Sequence, residues 1–190
     1  MSQTPSFLAA LARHREVFAV AEQYAAQSQQ LLDAVVACLQ AGGKVVWMGN
    51  GGSAADSQHL AAEFMVRYKA ERGPLASIAL TTDTSILTAH ANDYHFDSVF
   101  ERQVRGLVRA GDVVIGLTTS GKSPNINLAL AAANELGAFT VALTGRDGGK
   151  VKDIAQLPII VNYDETARIQ EMHMFIGHWL CEALDLVLAD

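Results

Sequence analysis

The chain has 190 residues, of which 50% are hydrophobic and 18% are charged, so it can bury a core and falls outside the composition of disordered proteins. Its formal net charge of −6 argues against a basic surface for nucleic acid or an anionic membrane. No segment reaches the ~18 apolar residues of a membrane span, and the N-terminus lacks the pattern of a signal peptide. These features predict one cytoplasmic domain over residues 1–190, with no nucleic-acid or membrane partner.

The first 42 residues have a helical pattern. From Val17 to Cys38, small or apolar residues recur at alternating spacings of four and three, which gives a helix one continuous stripe. The pair Gly42-Gly43 ends this pattern. Because the stripe is long for packing within one domain, we predict that the helix also contacts another subunit. Cys38 and the distant Cys181 both fall in apolar helical patterns and are predicted to be buried free thiols.

After Gly43, five short apolar runs alternate with helical patterns. The predicted strands cover residues 44–48, 76–80, 112–118, 140–144 and 157–161. The predicted helices cover about 54–67, 84–91, 95–107, 124–136 and 166–188. Continuous apolar strands separated by helices are typical of a parallel sheet covered on both faces. The predicted fold is a doubly wound, five-stranded parallel α/β sheet, with a helical segment over 1–42 and the sheet core and C-terminal helix over 43–190.

Two loops after predicted strands have the composition of a phosphate site. GNGGS at 49–53 follows the first strand, and TTSGKS at 118–123 follows the third. Ligands of such sheets bind beyond the carboxyl ends of the strands. Glycines allow close approach of an anion, helix N-termini present N–H groups, and Ser and Thr add hydroxyl donors. The alternative is that these are ordinary turns, in which Ser53 and Ser123 cap the following helices.

Two helices carry residues suited to acid–base or metal chemistry. His59 and Glu63 are four residues apart and share one helix face. On the last helix, Gln170 and His178 are roughly 12 Å apart along the axis, and His173 and His178 differ by about 140°. One site therefore does not use both of these histidines. The alternatives are a surface His–Glu pair and histidines that serve only the core or an interface.

The two loops together resemble those of the sugar isomerase (SIS) domain, a phosphosugar-binding family with a five-stranded parallel sheet. The resemblance extends from about residue 30 to the end of the chain. His59 and Glu63 after GNGGS, and RIQE at 168–171 followed by His178, make the chain similar to the phosphoheptose isomerases in particular. TGRDGGK at 144–150 and the pair Asn92-Asp93 also match that pattern. The family converts D-sedoheptulose 7-phosphate to D-glycero-D-manno-heptose 7-phosphate.

This resemblance implies roles for individual residues. Glu63 is implied as general base and His178 as its acid–base partner, while His59, Glu63, Gln170 and His178 are implied as ligands of Zn²⁺. The implied substrate contacts are Asn50, Gly51, Gly52, Ser53, Glu63, Asn92, Asp93, Thr118, Thr119, Ser120, Ser123 and Gln170. It also implies a homotetramer with active sites between subunits, and a product that feeds nucleotide-activated heptose for lipopolysaccharide or another surface glycan.

The chemistry of an aldose–ketose isomerase suits these residue types. The reaction moves a proton between C1 and C2 through an enediol, so a carboxylate can take the carbon-bound proton while a second group handles the oxygen proton. A zinc ion can stabilise the developing charge on oxygen as a Lewis acid. Glu63 and His178 are suitable partners for the two proton transfers.

Three other functions remain open from the sequence. A non-enzymatic SIS relative binds the bacterial replication initiator, and in our interpretation it lacks the acidic residue at the position of Glu63. A sugar-phosphate-sensing regulator would carry a DNA-binding domain, but the first 42 residues are not basic and contain no evident recognition helix. Another SIS isomerase would act on a hexose or pentose phosphate, and only substrate profiling separates that case.

Overall fold

The computed structural model describes residues 6–188, so the first five residues of the predicted N-terminal helical segment and residues 189–190 lie outside it. The strands are β1 (Val45–Gly49), β2 (Ser77–Ala79), β3 (Val113–Thr118), β4 (Phe139–Gly145) and β5 (Leu157–Val161). The α-helices within 6–188 are α1 (Phe7–Phe18), α2 (Ala25–Gln40), α3 (Gly52–Met65), α4 (Thr84–Asp93), α5 (Val99–Leu107), α6 (Pro124–Glu135) and α7 (Thr166–Val187). Over the same range, no helix combines the length and apolar character that a membrane crossing requires.

All five strands are parallel, in the order β2-β1-β3-β4-β5. Every residue of β1 and β3 is buried, as expected for central strands that are covered on both faces. Trp47 and Leu117 contribute to one hydrophobic cluster, which includes residues of α2, α3 and α7. Val46 and Val114 contribute to the other, which includes residues of α5 and α6. The predicted doubly wound α/β sheet is confirmed.

The N-terminal segment differs from the prediction of one continuous helix. The first helix ends at Phe18, and a short 3-10 turn (Ala21–Tyr24) separates it from α2. The apolar stripe still packs into the core on both sides of this break, since Val17 and Cys38 are both buried. The predicted end of the helix is confirmed, because Gly42 follows α2 with a φ of +79°.

Both cysteines are buried free thiols, as the sequence predicted. Cys181 lies on α7 with no exposed surface, and burial raises its pKa to about 12. A thiol in that state is a weak nucleophile and behaves as a small apolar side chain.

The strand order determines where a ligand can bind. The chain passes from β1 outward to β2 on one side, and then from β3 to β4 and β5 on the other side. The loops after β1 and β3 therefore lie next to each other, at the point where the winding reverses direction, and Gly49 is in register with Leu117 at the two strand ends. Such a reversal opens a crevice at the carboxyl edge of a parallel sheet. Helix α3 begins directly after the first loop, and α6 begins directly after the second.

Candidate active site

A cavity of about 230 Å³ lies between the loops after β1 and β3 and the beginning of α7. Its lining residues are Asn50, Gly52, Ser53, Leu117, Thr118, Thr119, Ser120, Ser123, Thr166 and Gln170. Eight of the predicted substrate contacts are therefore brought to one cavity. Leu117 and Thr166 also line it but were missed, and the only signal for Thr166 was a hydroxyl residue at the predicted start of the last helix.

The serine hydroxyls of this cavity do not serve as helix caps. Ser123 precedes α6, but its side chain makes no capping hydrogen bond and its Oγ lies 3.2 Å from Oγ1 of Thr118. Helix α3 follows Gly51, whose φ is +57°, so Ser53 already lies within the helix. The interpretation of these loops as ordinary serine-capped turns is therefore wrong. Two helix N-termini and a group of hydroxyls converge on one cavity, which is a favourable arrangement for an anion.

A pair of side-chain amides joins the two loops. Nδ2 of Asn50 donates to Oδ1 of Asn125 at 2.9 Å, and Nδ2 of Asn125 donates to Oδ1 of Asn50 at 2.9 Å. Oδ1 of Asn125 also accepts the backbone N–H of Ile126 at 3.0 Å. Asn125 is only 2% exposed, so this pair fixes the first loop against the N-terminus of α6. Asn125 was not predicted, because it lies two residues beyond the TTSGKS motif.

Gln170 lies at the end of the site where the two loops meet. Its Nε2 donates to Oγ of Ser53 at 3.4 Å, and a Cβ atom at position 52 would lie 2.7 Å from the same nitrogen. Gly52 therefore leaves the space that allows the Gln170 amide to reach the first loop. The contact joins the first turn of α3 to the second turn of α7.

Three of the predicted titratable residues meet further along the same two helices. The Nε2 atoms of His59 and His178 are 3.0 Å apart, and Nε2 of His59 lies 3.4 Å from Oε1 of Glu63. The close approach depends on Gly177, where a Cβ atom would lie 2.6 Å from Cδ2 of Leu60. Helices α3 and α7 thus touch at adjacent residues, and this contact brings the two imidazoles together.

The surroundings of this cluster favour the neutral form of the His178 imidazole. Burial lowers the pKa of His178, the neighbouring His59 lowers it further, and Glu63 acts in the opposite direction. One turn before His59, burial raises the pKa of the Asp56 carboxyl. Oδ2 of Asp56 is buried without a hydrogen-bond partner among the described residues. A neutral imidazole beside a partly buried carboxylate is a suitable pair for moving protons.

Three of the residues considered from the sequence lie elsewhere. His173 has no exposed surface, its Nε2 contacts the carbonyl oxygen of Thr144 at 3.0 Å, and burial lowers its pKa to about 4. It is a core residue. Asn92 and Asp93 end α4 as exposed residues, their side chains hydrogen-bond to each other, and they do not line the cavity.

The donors fit a zinc ion in chemistry but do not form a complete preformed site. Among residues 6–188, no group of three or more His, Cys, Asp or Glu side chains is arranged to hold a metal. Two Nε2 atoms 3.0 Å apart, with a carboxylate oxygen 3.4 Å from one of them, are the donor types of a His₂Glu zinc site. Gln170, the fourth predicted ligand, contacts Ser53 instead.

The fold and this site define a phosphate-binding α/β protein with an imidazole–carboxylate cluster, and the family model described as SIS domain matches residues 7–145. The phosphoheptose isomerase of Paramagnetospirillum magneticum is 51% identical over 180 residues, with 94% of each chain covered. That of Aquifex aeolicus is 53% identical over 172 residues, with 90% of each covered. The structure of the phosphoheptose isomerase GmhA from Neisseria gonorrhoeae has a TM-score of 0.89 at 44% identity, covering 94% of this chain and 96% of that one. This chain belongs to the phosphoheptose isomerases, a family of aldose–ketose isomerases.

Proposed function

We propose that this chain isomerises D-sedoheptulose 7-phosphate to D-glycero-D-manno-heptose 7-phosphate across the surface shared by α3 and α7. The observation that carries the proposal is the order of contacts between these helices. Gln170 contacts Ser53 near the N-terminal ends of the two helices, and His178 contacts His59 further along them. The two helices therefore run in the same direction, with the phosphate cavity at one end and the titratable cluster at the other.

The separation of these two ends suits the length of a heptulose phosphate. Six residues on α3 and eight on α7 correspond to roughly 9 Å and 12 Å of helix rise. Seven bonds connect the phosphorus of such a substrate to C2, and an extended chain advances about 1.2 Å per bond, or about 8 Å in total. A phosphate held in the cavity thus allows the reacting carbons to approach Glu63 and His178.

The phosphate end supplies binding and orientation. Backbone N–H groups at the N-termini of α3 and α6 would bind the anion, together with hydroxyls of the second loop. The hydroxyl residues that we assign to this task are Ser53, Thr118, Thr119, Ser120 and Ser123. Binding energy from a group remote from C1 can hold the reacting end in a productive position.

The cluster end supplies the proton transfers. We assign Glu63 to take the proton from C1 and return it to C2, and His178 to move the proton between O1 and O2. The neutral state that burial favours for His178 allows it to accept a proton as well as to donate one. Gln170 and Asn50 would contact the sugar near the phosphate end, where both line the cavity.

We also propose that His59, Glu63 and His178 bind Zn²⁺, with Gln170 as the fourth ligand. When bound, the ion would supply Lewis-acid stabilisation of the enediolate oxygen. Gln170 can join the set only by leaving Ser53 or by coming from a second chain. A carboxylate that binds zinc tightly is a poor free base, so metal dependence is the sharpest test of the role of Glu63.

The assembly that we propose is a homotetramer with sites shared between subunits. An apolar groove of about 380 Å³ separates the 3-10 turn and α2 from α7, and its lining includes Met172, Phe175 and Trp179. Asn92 and Asp93, which do not line the cavity of their own chain, would contact substrate in a neighbouring subunit. We place the activity in the cytoplasm, where its product would feed nucleotide-activated heptose for lipopolysaccharide or another surface glycan.

A coupled assay with sedoheptulose 7-phosphate tests the proposed function, using protein before and after chelation and after zinc re-addition. Turnover that chelation removes and zinc restores supports both the reaction and the metal. Turnover in fully metal-free protein would support the isomerase assignment and show that zinc is not essential for the reaction. If the zinc-loaded protein has no turnover, hexose and pentose phosphates are tested next, and capture of the replication initiator would then favour the binding-protein alternative.

A further inference from the structure

The segment of residues 66–73, which we call the strap, connects α3 to the approach to β2 and is fastened to the last turns of α7. The backbone N–H groups of Lys69 and Ala70 donate to Oδ2 of Asp185 at 2.7 Å and 2.8 Å. The Asp185 side chain is only 3% exposed, and these bonds lower its pKa against the effect of burial. One carboxylate thus fixes two consecutive peptides of the strap.

Arg72 fastens the same strap to the end of α3. Its Nε donates to Oδ1 of Asp185 at 2.8 Å, and the Arg72 side chain is 1% exposed. Its Nη2 donates to the carbonyl oxygen of Glu63 at 2.8 Å, and its Nη1 to that of Phe64 at 2.9 Å. These carbonyls lie in the last turn of α3, where helical partners are lacking. The buried pair therefore ties the backbone of Glu63 to α7, the helix that carries His178.

Tyr68 lies in the strap directly before the peptides that Asp185 holds. Its ring stacks on the imidazole of His178, with centroids 5.6 Å apart and an angle of 18° between the planes. Offset stacking of this kind has a preferred geometry. The stacked Tyr68 ring thus limits rotation of the His178 imidazole, which His59 also contacts edge-on at 71°.

We propose that Tyr68 is a positioning residue for His178, and that the buried Arg72–Asp185 pair holds Tyr68 in place. The expected effect of Tyr68 on turnover rests on the proposed function, whereas its effect on the orientation of the His178 imidazole does not. A misplacement of about 1 Å at a reacting group can reduce a rate by about a hundredfold. Since the strap lies at the cluster end, its loss should affect kcat and leave phosphate binding unchanged.

The first experiment compares steady-state kinetics of four variants with sedoheptulose 7-phosphate. Tyr68→Leu keeps an apolar side chain but loses the planar ring, and we expect kcat to fall about tenfold with KM within about twofold. Tyr68→Phe keeps the ring and should retain wild-type kcat. Asp185→Asn should lower kcat like Tyr68→Leu. The matched control is Glu182→Gln on the same helix, because Glu182 forms an exposed ion pair with Lys69 of the strap.

A double variant separates positioning from simple destabilisation. If Asp185 acts through Tyr68, then Tyr68→Leu combined with Asp185→Asn should lower kcat no further than the more severe single variant. If the two substitutions acted independently, their tenfold losses of kcat would multiply to about a hundredfold. That result would show that Asp185 does not act through Tyr68. Urea unfolding of each variant gives the folded fraction by which kcat is corrected.

The second experiment follows the His178 ring by NMR and needs no turnover. The resonances of its carbon-bound protons are assigned by their absence in His178→Gln. The ring current of Tyr68 shifts them in the wild type, and we expect that shift to vanish in Tyr68→Leu, to change in Asp185→Asn and to persist in Glu182→Gln. An inactive wild type would refute the proposed function while this readout still tests the strap. Unchanged His178 resonances and unchanged kcat in Tyr68→Leu would overturn the inference.

Discussion

Two histidines on α7 show how position on one helix separates a core residue from a site residue. His173 is fully buried and contacts the Thr144 carbonyl oxygen, whereas His178 lies against His59 at the edge of the α3–α7 contact. Burial lowers the pKa of both imidazoles. Of the two, only His178 has both a lowered pKa and a carboxylate, Glu63, close enough to affect that pKa. We therefore expect His178 to take part in chemistry and His173 to contribute to stability.

Replacement of the proposed base tests the assignment most directly. Glu63→Gln keeps size and polarity but cannot accept a proton, so we expect kcat to fall by about 10²- to 10⁴-fold while urea unfolding stays close to wild type. Glu71→Gln is the matched control, since Glu71 is 92% exposed at its side chain. Near-normal turnover in Glu63→Gln would remove Glu63 from this role.

The buried state of His173 predicts a pH dependence of stability. Its pKa is about 4 in the folded protein and 6.5 in the absence of burial, so the unfolded chain binds the extra proton between these values. The free energy of unfolding is therefore unaffected by this group above pH 6.5, and it declines as the pH falls toward 4, by about 3 kcal/mol in total.

Urea unfolding at pH 7 and pH 5 measures this effect. His173→Gln should be less stable than wild type at pH 7 but should lose less stability between the two pH values. His95→Gln, which changes an exposed histidine, should keep the wild-type slope. Equal slopes for wild type and His173→Gln would show that His173 does not titrate in this way.

Among the helices and strands, the contact between α3 and α7 has the greatest consequence for the site. Gly177→Ala would place a methyl group 2.6 Å from Leu60, so the two helices must separate. We expect a loss of about 1–3 kcal/mol in the free energy of unfolding and reduced turnover, because His178 moves away from His59. In Gly106→Ala, nothing lies within 4 Å of the new Cβ, and the helical position should gain up to about 1 kcal/mol. If Gly177→Ala and the wild type had the same free energy of unfolding, the close approach of the two helices would not be required.

The sequence predicted the strands closely because their burial leaves continuous apolar runs. The fifth strand was predicted at 157–161 and is observed at Leu157–Val161. The break between α1 and α2 was missed for a physical reason. The turn Ala21–Tyr24 contains neither glycine nor proline, and Tyr24 is buried in line with Val17, so the hydrophobic period continues across it.

Parts of the candidate site could be predicted where a sequence motif or a helical spacing indicated them. The two loops that line the cavity could be identified from their glycine and hydroxyl content, and the proximity of His59 and Glu63 follows from a spacing of four residues. The partners across elements could not be predicted. The contact of Gln170 with Ser53, and of Asn50 with Asn125, depends on the strand order, which hydrophobic patterns do not specify.

At the scale of the whole molecule, the N-terminal segment and α7 leave an apolar groove exposed. Phe175 on its lining is 49% exposed, and Trp179 lies one turn further along α7. We expect light scattering to give a mass near four times 20.3 kDa for the wild type. Phe175→Glu would put a charge into the groove and should lower that mass, while Glu182→Gln should leave it unchanged. A monodisperse wild-type monomer would refute sites shared between subunits.

If the proposed site residues act as assigned, the parallel arrangement of α3 and α7 predicts that the enzyme selects its substrate by length. A pentulose 5-phosphate held by its phosphate would be two bonds shorter, which leaves its carbonyl about 2.4 Å short of the position reached by a heptulose. It could occupy the anion cavity and obstruct it, yet its C1 proton would remain beyond the reach of Glu63. Shorter sugar phosphates should accordingly behave as inhibitors that compete for the entrance, and the spacing between two helix contacts would determine which sugars react.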